Sequence, residues 1–166
     1  MKKYLSVISI FISVTTLSIG CSSAITPVPD NIKEVVITLE RTACYGVCPV
    51  YALTIHGDGR VIYEGIRCVK IEGIRTTTIS EDEIKQLIVE FQKIDYFSLE
   101  GSYEERNATD MPSVYTSLTV NGKTKTVRHY HGDFNAPKKL TELENKIDLV
   151  VNSDEWTQLW PNRGNQ

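Results

Sequence analysis

The sequence predicts an α+β domain: an antiparallel β-sheet built from hairpins, with two helices packed on one face. Two turn signatures carry the sheet, Gly57-Asp58-Gly59 and Asn121-Gly122, each set between alternating polar and apolar runs. The helices rest on Ser80-Glu81-Asp82-Glu83, a capping box ahead of Ile84, Leu87, Ile88 and Phe91, and on Leu140, Leu143, Ile147 and Val151 after Pro137.

The domain is expected to span residues 32–160. Ahead of it, Lys2 and Lys3 precede an uncharged apolar stretch over 5–19, the pattern of a secretory signal occupying residues 1–20. The stretch is too short and too rich in Ser and Thr for a confident spanning helix. It ends Leu17-Ser18-Ile19-Gly20-Cys21, which resembles a bacterial lipobox, although Ser18 stands where an aliphatic residue is usual. Cys21 is accordingly the expected lipid attachment, the alternative being ordinary cleavage that leaves it a plain thiol. Residues 21–31, with Pro27 and Pro29, read as the lipidated cysteine and an extended tether.

Without residues 1–20 the chain has 146 residues and carries 16 Lys+Arg against 21 Asp+Glu, a net charge of −5. That length suits one domain with a real core. The negative balance and the lack of a basic cluster argue against a nucleic-acid partner. Anionic lipid would also be repelled, so the expected membrane link is the anchor.

Residues 33–41 read as the first strand, with Val35, Ile37 and Leu39 on one face. Residues 51–56 and 60–67 flank the loop Gly57-Asp58-Gly59. Placing His56 opposite Arg60 pairs Leu53 with Tyr63 and Ile55 with Val61, one coherent apolar face. Carried outward, that register sets Cys48 opposite Cys68, within disulfide range if the pairing persists. A short strand over 76–79 leads to the capped helix, where Ile79 and Ile84 form a hydrophobic staple. That helix is expected to end near Asp95, sealed by Tyr96 and Phe97.

Residues 98–112 read as a polar loop. Strands over 114–120 and 123–130 then flank Asn121-Gly122, the strongest short hairpin signal. Pro137 falls at the first helical position of the second helix. Trp156 and Trp160 suggest a last turn covering the core, before a disordered tail over 161–166. A loose internal repeat is visible: each hairpin leads to a helix, the first closing on Lys93-Ile94-Asp95 and the second on Lys146-Ile147-Asp148.

The run Arg41-Thr42-Ala43-Cys44-Tyr45-Gly46-Val47-Cys48-Pro49-Val50-Tyr51, followed by the segment from Gly57-Asp58-Gly59 to Gly65, resembles a bacterial family of domains of unknown function. Asp110-Met111-Pro112, Tyr130-His131-Gly132 and Lys146-Ile147-Asp148 extend the resemblance across residues 32–156. Its members look like exported proteins or lipoproteins, and the resemblance supplies relatives without a mechanism. It implies that Cys44 and Cys48 are the shared pair and that Cys68 lies outside the pattern.

Four readings of the cysteines therefore stand. Export favours oxidation, giving a disulfide between Cys44 and Cys48 or one using Cys68, and the odd number after Cys21 leaves one thiol over. A redox pair is disfavoured, since the spacing is one longer than Cys-x-x-Cys and a strand follows Pro49. Zinc could be held if His129 and His131, which share one strand face, joined Cys44 and Cys48. Such histidines are more often polar residues on an exposed sheet face.

The acidic loop from Glu100 to Asp110 lacks the ligand spacing of a calcium loop. No nucleophile elbow, phosphate loop or His-Glu-x-x-His occurs. Lys123, Lys125 and Arg128 read as solubilising edge charges, and Tyr63, Tyr115, Trp156 and Trp160 as core and rim. The expectation is an exported, lipid-anchored envelope protein acting as a binding or structural module. It has no catalytic residues, no metal and no cofactor, and its partner is an unspecified envelope protein or ligand. The alternative is a thiol- or zinc-dependent site at Cys44 and Cys48.

Overall fold

A computed structural model describes residue 29 and residues 31–158. The expected signal, the lipid attachment at Cys21, most of the tether, Trp160 and the tail lie outside the described residues. Seven strands form one sheet: β1 (Val36–Arg41), β2 (Val50–His56), β3 (Arg60–Arg67), β4 (Gly73–Thr78), β5 (Ser102–Tyr103), β6 (Ser113–Val120) and β7 (Lys123–Tyr130). Their order is β4-β3-β2-β1-β6-β7-β5. The helices are α1 (Glu81–Lys93), α2 (Lys138–Val151) and the short α3 (Asp154–Thr157).

The two hairpins follow from their turns. Leu53 pairs with Tyr63 and Ile55 with Val61, and the Gly59 N–H donates to the His56 carbonyl at 2.9 Å. At the second turn Val120 pairs with Lys123, and Asn121 and Gly122 take positive φ values of 50° and 71°, as a primed turn requires. β1 lies between the hairpins, antiparallel to β2 and to β6. Inward residues such as Ile37, Leu39, Leu53, Val61 and Tyr63 are fully buried, and they share one core with the buried faces of α1 and α2.

Several expectations are corrected. The sheet is mixed, because Ser102 and Tyr103 inside the expected polar loop pair in parallel with Arg128 and His129. Two residues carry too little alternation to signal a strand. Lys33 sits in a 3-10 turn (Ile32–Glu34), closed by the Val35 N–H donating to the Ile32 carbonyl at 3.0 Å. A Cβ on Gly57 would lie 1.7 Å from the Ile32 oxygen, so that turn can nest there only because residue 57 is glycine. β4 begins at Gly73, whose φ of +79° turns the chain into the strand three residues earlier than expected. Lys146-Ile147-Asp148 lies inside α2, which continues to Val151 and ends on Asn152 in the left-handed region.

The α1 start is as its sequence requires. The Ser80 hydroxyl accepts from the Glu83 N–H at 3.3 Å, and Glu83 accepts from the Ser80 N–H at 2.7 Å. Tyr96 seals the far end against Phe91, with ring centroids 4.7 Å apart, while Phe97 stays exposed. The edge charges of the second hairpin are engaged: Lys125 donates to the Leu99 carbonyl, and Arg128 pairs with Glu104 and lies over the Tyr115 ring. Trp156, in α3, packs against Tyr63.

Candidate functional site

Cross-strand partners point to the same face of a sheet. Tyr51, Arg41, Val114 and His129 are successive partners across β2, β1, β6 and β7, so they form one inward row. α2 lies over this row and presents two carboxylates one helical turn apart, Glu144 and Asp148.

Asp148 anchors the first cluster. Its Oδ2 accepts from Arg41 Nη2 at 2.6 Å and from Nε at 2.9 Å, and its Oδ1 accepts from the Tyr51 hydroxyl at 2.6 Å and the Ser153 hydroxyl at 2.7 Å. Burial alone would lower the Arg41 pKa, but the Asp148 carboxylate outweighs it and holds the guanidinium charge above its ordinary value. Burial, reinforced by the same carboxylate, pushes the Tyr51 phenol well above the usual tyrosine range.

Glu144 anchors the second. It is fully buried, and its two oxygens lie 2.8 Å from His129 Nδ1 and 2.9 Å from His131 Nε2. Burial would raise its pKa, but the hydrogen bonds from both imidazoles prevail and hold the carboxyl below its ordinary value. The histidines therefore share one face, as alternation requires, but it is the core face; an exposed sheet face is the wrong placement. The missed partner had a signal. Glu144 falls four residues after Leu140 and three before Ile147, on the apolar stripe of α2, where an ionised side chain demands a partner.

Next to the first cluster stands the cysteine loop. Cys44 and Cys48 form a disulfide with Cα atoms 5.7 Å apart. The alternative bridge to Cys68 fails because the register shifts between Val50 and Tyr51, where Val50 meets Arg67 and the β2–β3 ladder ends. Cys68 is free and takes a φ of +55°. With both sulfurs bonded to each other, Cys44 and Cys48 offer no thiolates to zinc, and the histidines turn to Glu144. The Tyr45 N–H donates to the Asp110 carbonyl at 3.0 Å, which ties the loop to the acidic segment.

The loop tip is apolar and open to solvent: Tyr45 is 89 % and Val47 73 % exposed, and Leu149 on α2 is 71 % exposed. Between Val47 and Leu149 lies a cleft of about 580 Å³. Arg41, Tyr51 and Asp148 line it with polar groups, and Val47, Pro49 and Leu149 with apolar ones. Cys68 also borders it. Among the described residues no helix is long and apolar enough to cross a membrane.

A family model for a domain of unknown function, DUF6438, matches residues 35–151, and the chain belongs to that family. The match takes in the cysteine loop, both hairpins, α1 and all of α2. No curated protein matches the chain.

Proposed function

We propose that this chain is a binding module, displayed on a membrane surface by a lipid. Residues 1–20 act as the export signal, Cys21 carries the lipid and residues 21–31 form the tether. Residues 32–160 are the single domain, its two long helices covering one face of the sheet. The lipobox-like run at Cys21 supports export to a bacterial envelope, as does a disulfide, which persists in oxidising compartments.

One observation carries the binding role. The disulfide holds an aromatic and an aliphatic side chain, Tyr45 and Val47, in solvent beside a cleft whose polar wall is fixed by the Arg41–Asp148 pair. Exposed apolar groups rimming a preformed polar recess are characteristic of protein recognition sites, where aromatic anchors dominate the energy. The favoured partner is an envelope protein presenting an apolar side chain to the cleft. The thiol-dependent alternative finds less support, since Cys44 and Cys48 are consumed in their own bond.

The test is a photo-crosslinking amino acid placed at residue 45 in the full chain, in cells, with residue 74 on exposed β4 as control. A discrete adduct at 45 that disappears with Leu149→Asp supports the reading. Equal or absent labelling at both positions overturns it. The anchor is tested separately: Cys21→Ala should move the protein from the membrane to the soluble fraction.

A further inference from the structure

The cluster one turn earlier along α2 has no part in that cleft. His129 Nδ1, His131 Nε2 and a Glu144 oxygen all lie within 4.8 Å of one another, with the imidazole centroids 4.6 Å apart. The geometry points to a metal site at His129, His131 and Glu144 that takes one divalent cation of the zinc class.

Three features support it. The donor set is two imidazoles and one carboxylate, which suits zinc and its first-row neighbours, and three protein ligands with an open fourth position are characteristic of an accessible zinc centre. The charge balance favours a cation: Glu144 is wholly buried, and among the described residues its only ion-pair contacts are the two histidines. Arg41 on β1 is committed to Asp148, one helical turn along α2 from Glu144. A buried carboxylate held by two imidazoles alone is a place where a divalent ion, coordinated by all three, would add positive charge directly. Access is also present, since the His131 side chain is 22 % exposed while those of His129 and Glu144 are nearly or fully buried. A water arriving from that side would be the fourth ligand.

The elements give the site its rigidity. His129 is in β7 and His131 follows one residue past its end, two positions on and towards the same carboxylate, and Glu144 descends from the middle turn of α2. The 2.8 and 2.9 Å contacts are hydrogen bonds through the nitrogens that would ligate the ion. Metal binding would take the place of hydrogen on each ligating nitrogen, a neutral imidazole moving its proton to the opposite nitrogen and a charged one releasing a proton to solvent. Tetrahedral bonds of about 2.1 Å set neighbouring ligand atoms roughly 3.4 Å apart, so the carboxylate oxygens withdraw by about 0.5 Å and the other ligand-atom separations, all within 4.8 Å, settle to the same spacing.

The test uses the full chain in detergent, stripped with a chelator and titrated with zinc against a chromophoric competitor. Expected is one zinc per chain, with affinity falling about 100-fold or more in His131→Ala and in Glu144→Gln. Cobalt(II) should give the visible absorption of a four-coordinate ion in the wild type and not in His131→Ala. Because a variant could fail to fold, the thermal midpoint of the wild type is also followed with and without zinc, where a concentration-dependent rise is expected. No stoichiometric binding, no rise in midpoint, or unchanged binding in a folded His129→Ala/His131→Ala variant overturns the site. That last result would assign the zinc to other groups such as Cys68 or His56.

Discussion

Asp148 on α2 lies 2.6 Å from Arg41 at the end of β1, and each of the two side chains is only 17 % exposed. The pair ties the second helix to the centre of the sheet. Removing one partner strands the other's charge in a largely dry place. Asp148→Ala should therefore destabilise the domain by about 3 kcal/mol, more than any exposed ion pair would. Urea unfolding would show this as a lower midpoint at an unchanged slope. A loss under about 1 kcal/mol would mean the pair behaves as a solvated surface bridge.

The Cys44–Cys48 bridge closes a ring with a sequence separation of 4, so its constraint on the unfolded chain is small. Reduction, or Cys44→Ser with Cys48→Ser, should cost about 2 kcal/mol and leave the domain folded. Partner labelling at residue 45 should weaken far more than stability does, because Tyr45 and Val47 lose their fixed presentation. Under non-reducing denaturation, alkylation should mark Cys68 and spare Cys44 and Cys48. Labelling of all three would remove the disulfide from the account.

Helix α1 gives a pH test. The backbone N–H and hydroxyl of Ser80 hold the Glu83 carboxyl below its ordinary value. A depressed folded-state pKa stabilises above the unfolded glutamate value, and the contribution disappears as pH falls through the folded one. Glu83→Gln should thus flatten the acid limb of the stability curve below about pH 4.3 relative to wild type. Ser80→Ala, which loses the cap itself, should cost about 1 kcal/mol at neutral pH. Parallel acid limbs in wild type and Glu83→Gln would refute the linkage.

Gly65 pairs with Tyr51 across the β2–β3 ladder, and a Cβ there would lie 2.1 Å from the Ile71 carbonyl and 2.6 Å from the Tyr63 hydroxyl. Those two groups are hydrogen-bonded to each other at 3.0 Å. Gly65→Ala should cost about 3 kcal/mol through this collision. Gly122→Ala, which meets nothing within 4 Å, should cost about 1 kcal/mol through its positive φ alone. Thermal melts of the two variants separate the steric effect from the conformational one.

Local chemistry was legible in the sequence. Gly59 and Asn121-Gly122 dictate their turns, and Ser80 with Glu83 caps α1, because each decision is made within a few residues. What was not legible depends on partners far apart in the chain. Nothing near Val36 says that β1 will take β6 as its second neighbour, and nothing near Ser102 announces a parallel pairing with β7. The site divides the same way. The Cys44–Cys48 pair was one of two open bridges, favoured by the resemblance while strand register pointed to Cys68, and Glu144 becomes the third member of the histidine cluster only once α2 is laid across β7. A charged residue on the apolar stripe of α2 was the one sign of it.

The chain enters the sheet beside Gly57, at one end of β1, and the cleft opens beside Arg41 at the other. Six residues of strand separate these ends by about 20 Å. Eleven residues from Cys21 to Ile32 can extend about 40 Å. If Cys21 holds a lipid, as proposed, that length and the strand together set a limit of roughly 60 Å on how far the cleft can stand from it. Partners within that radius are met by search over a surface, at millimolar effective concentration, so even a weak grip in the cleft would keep them engaged.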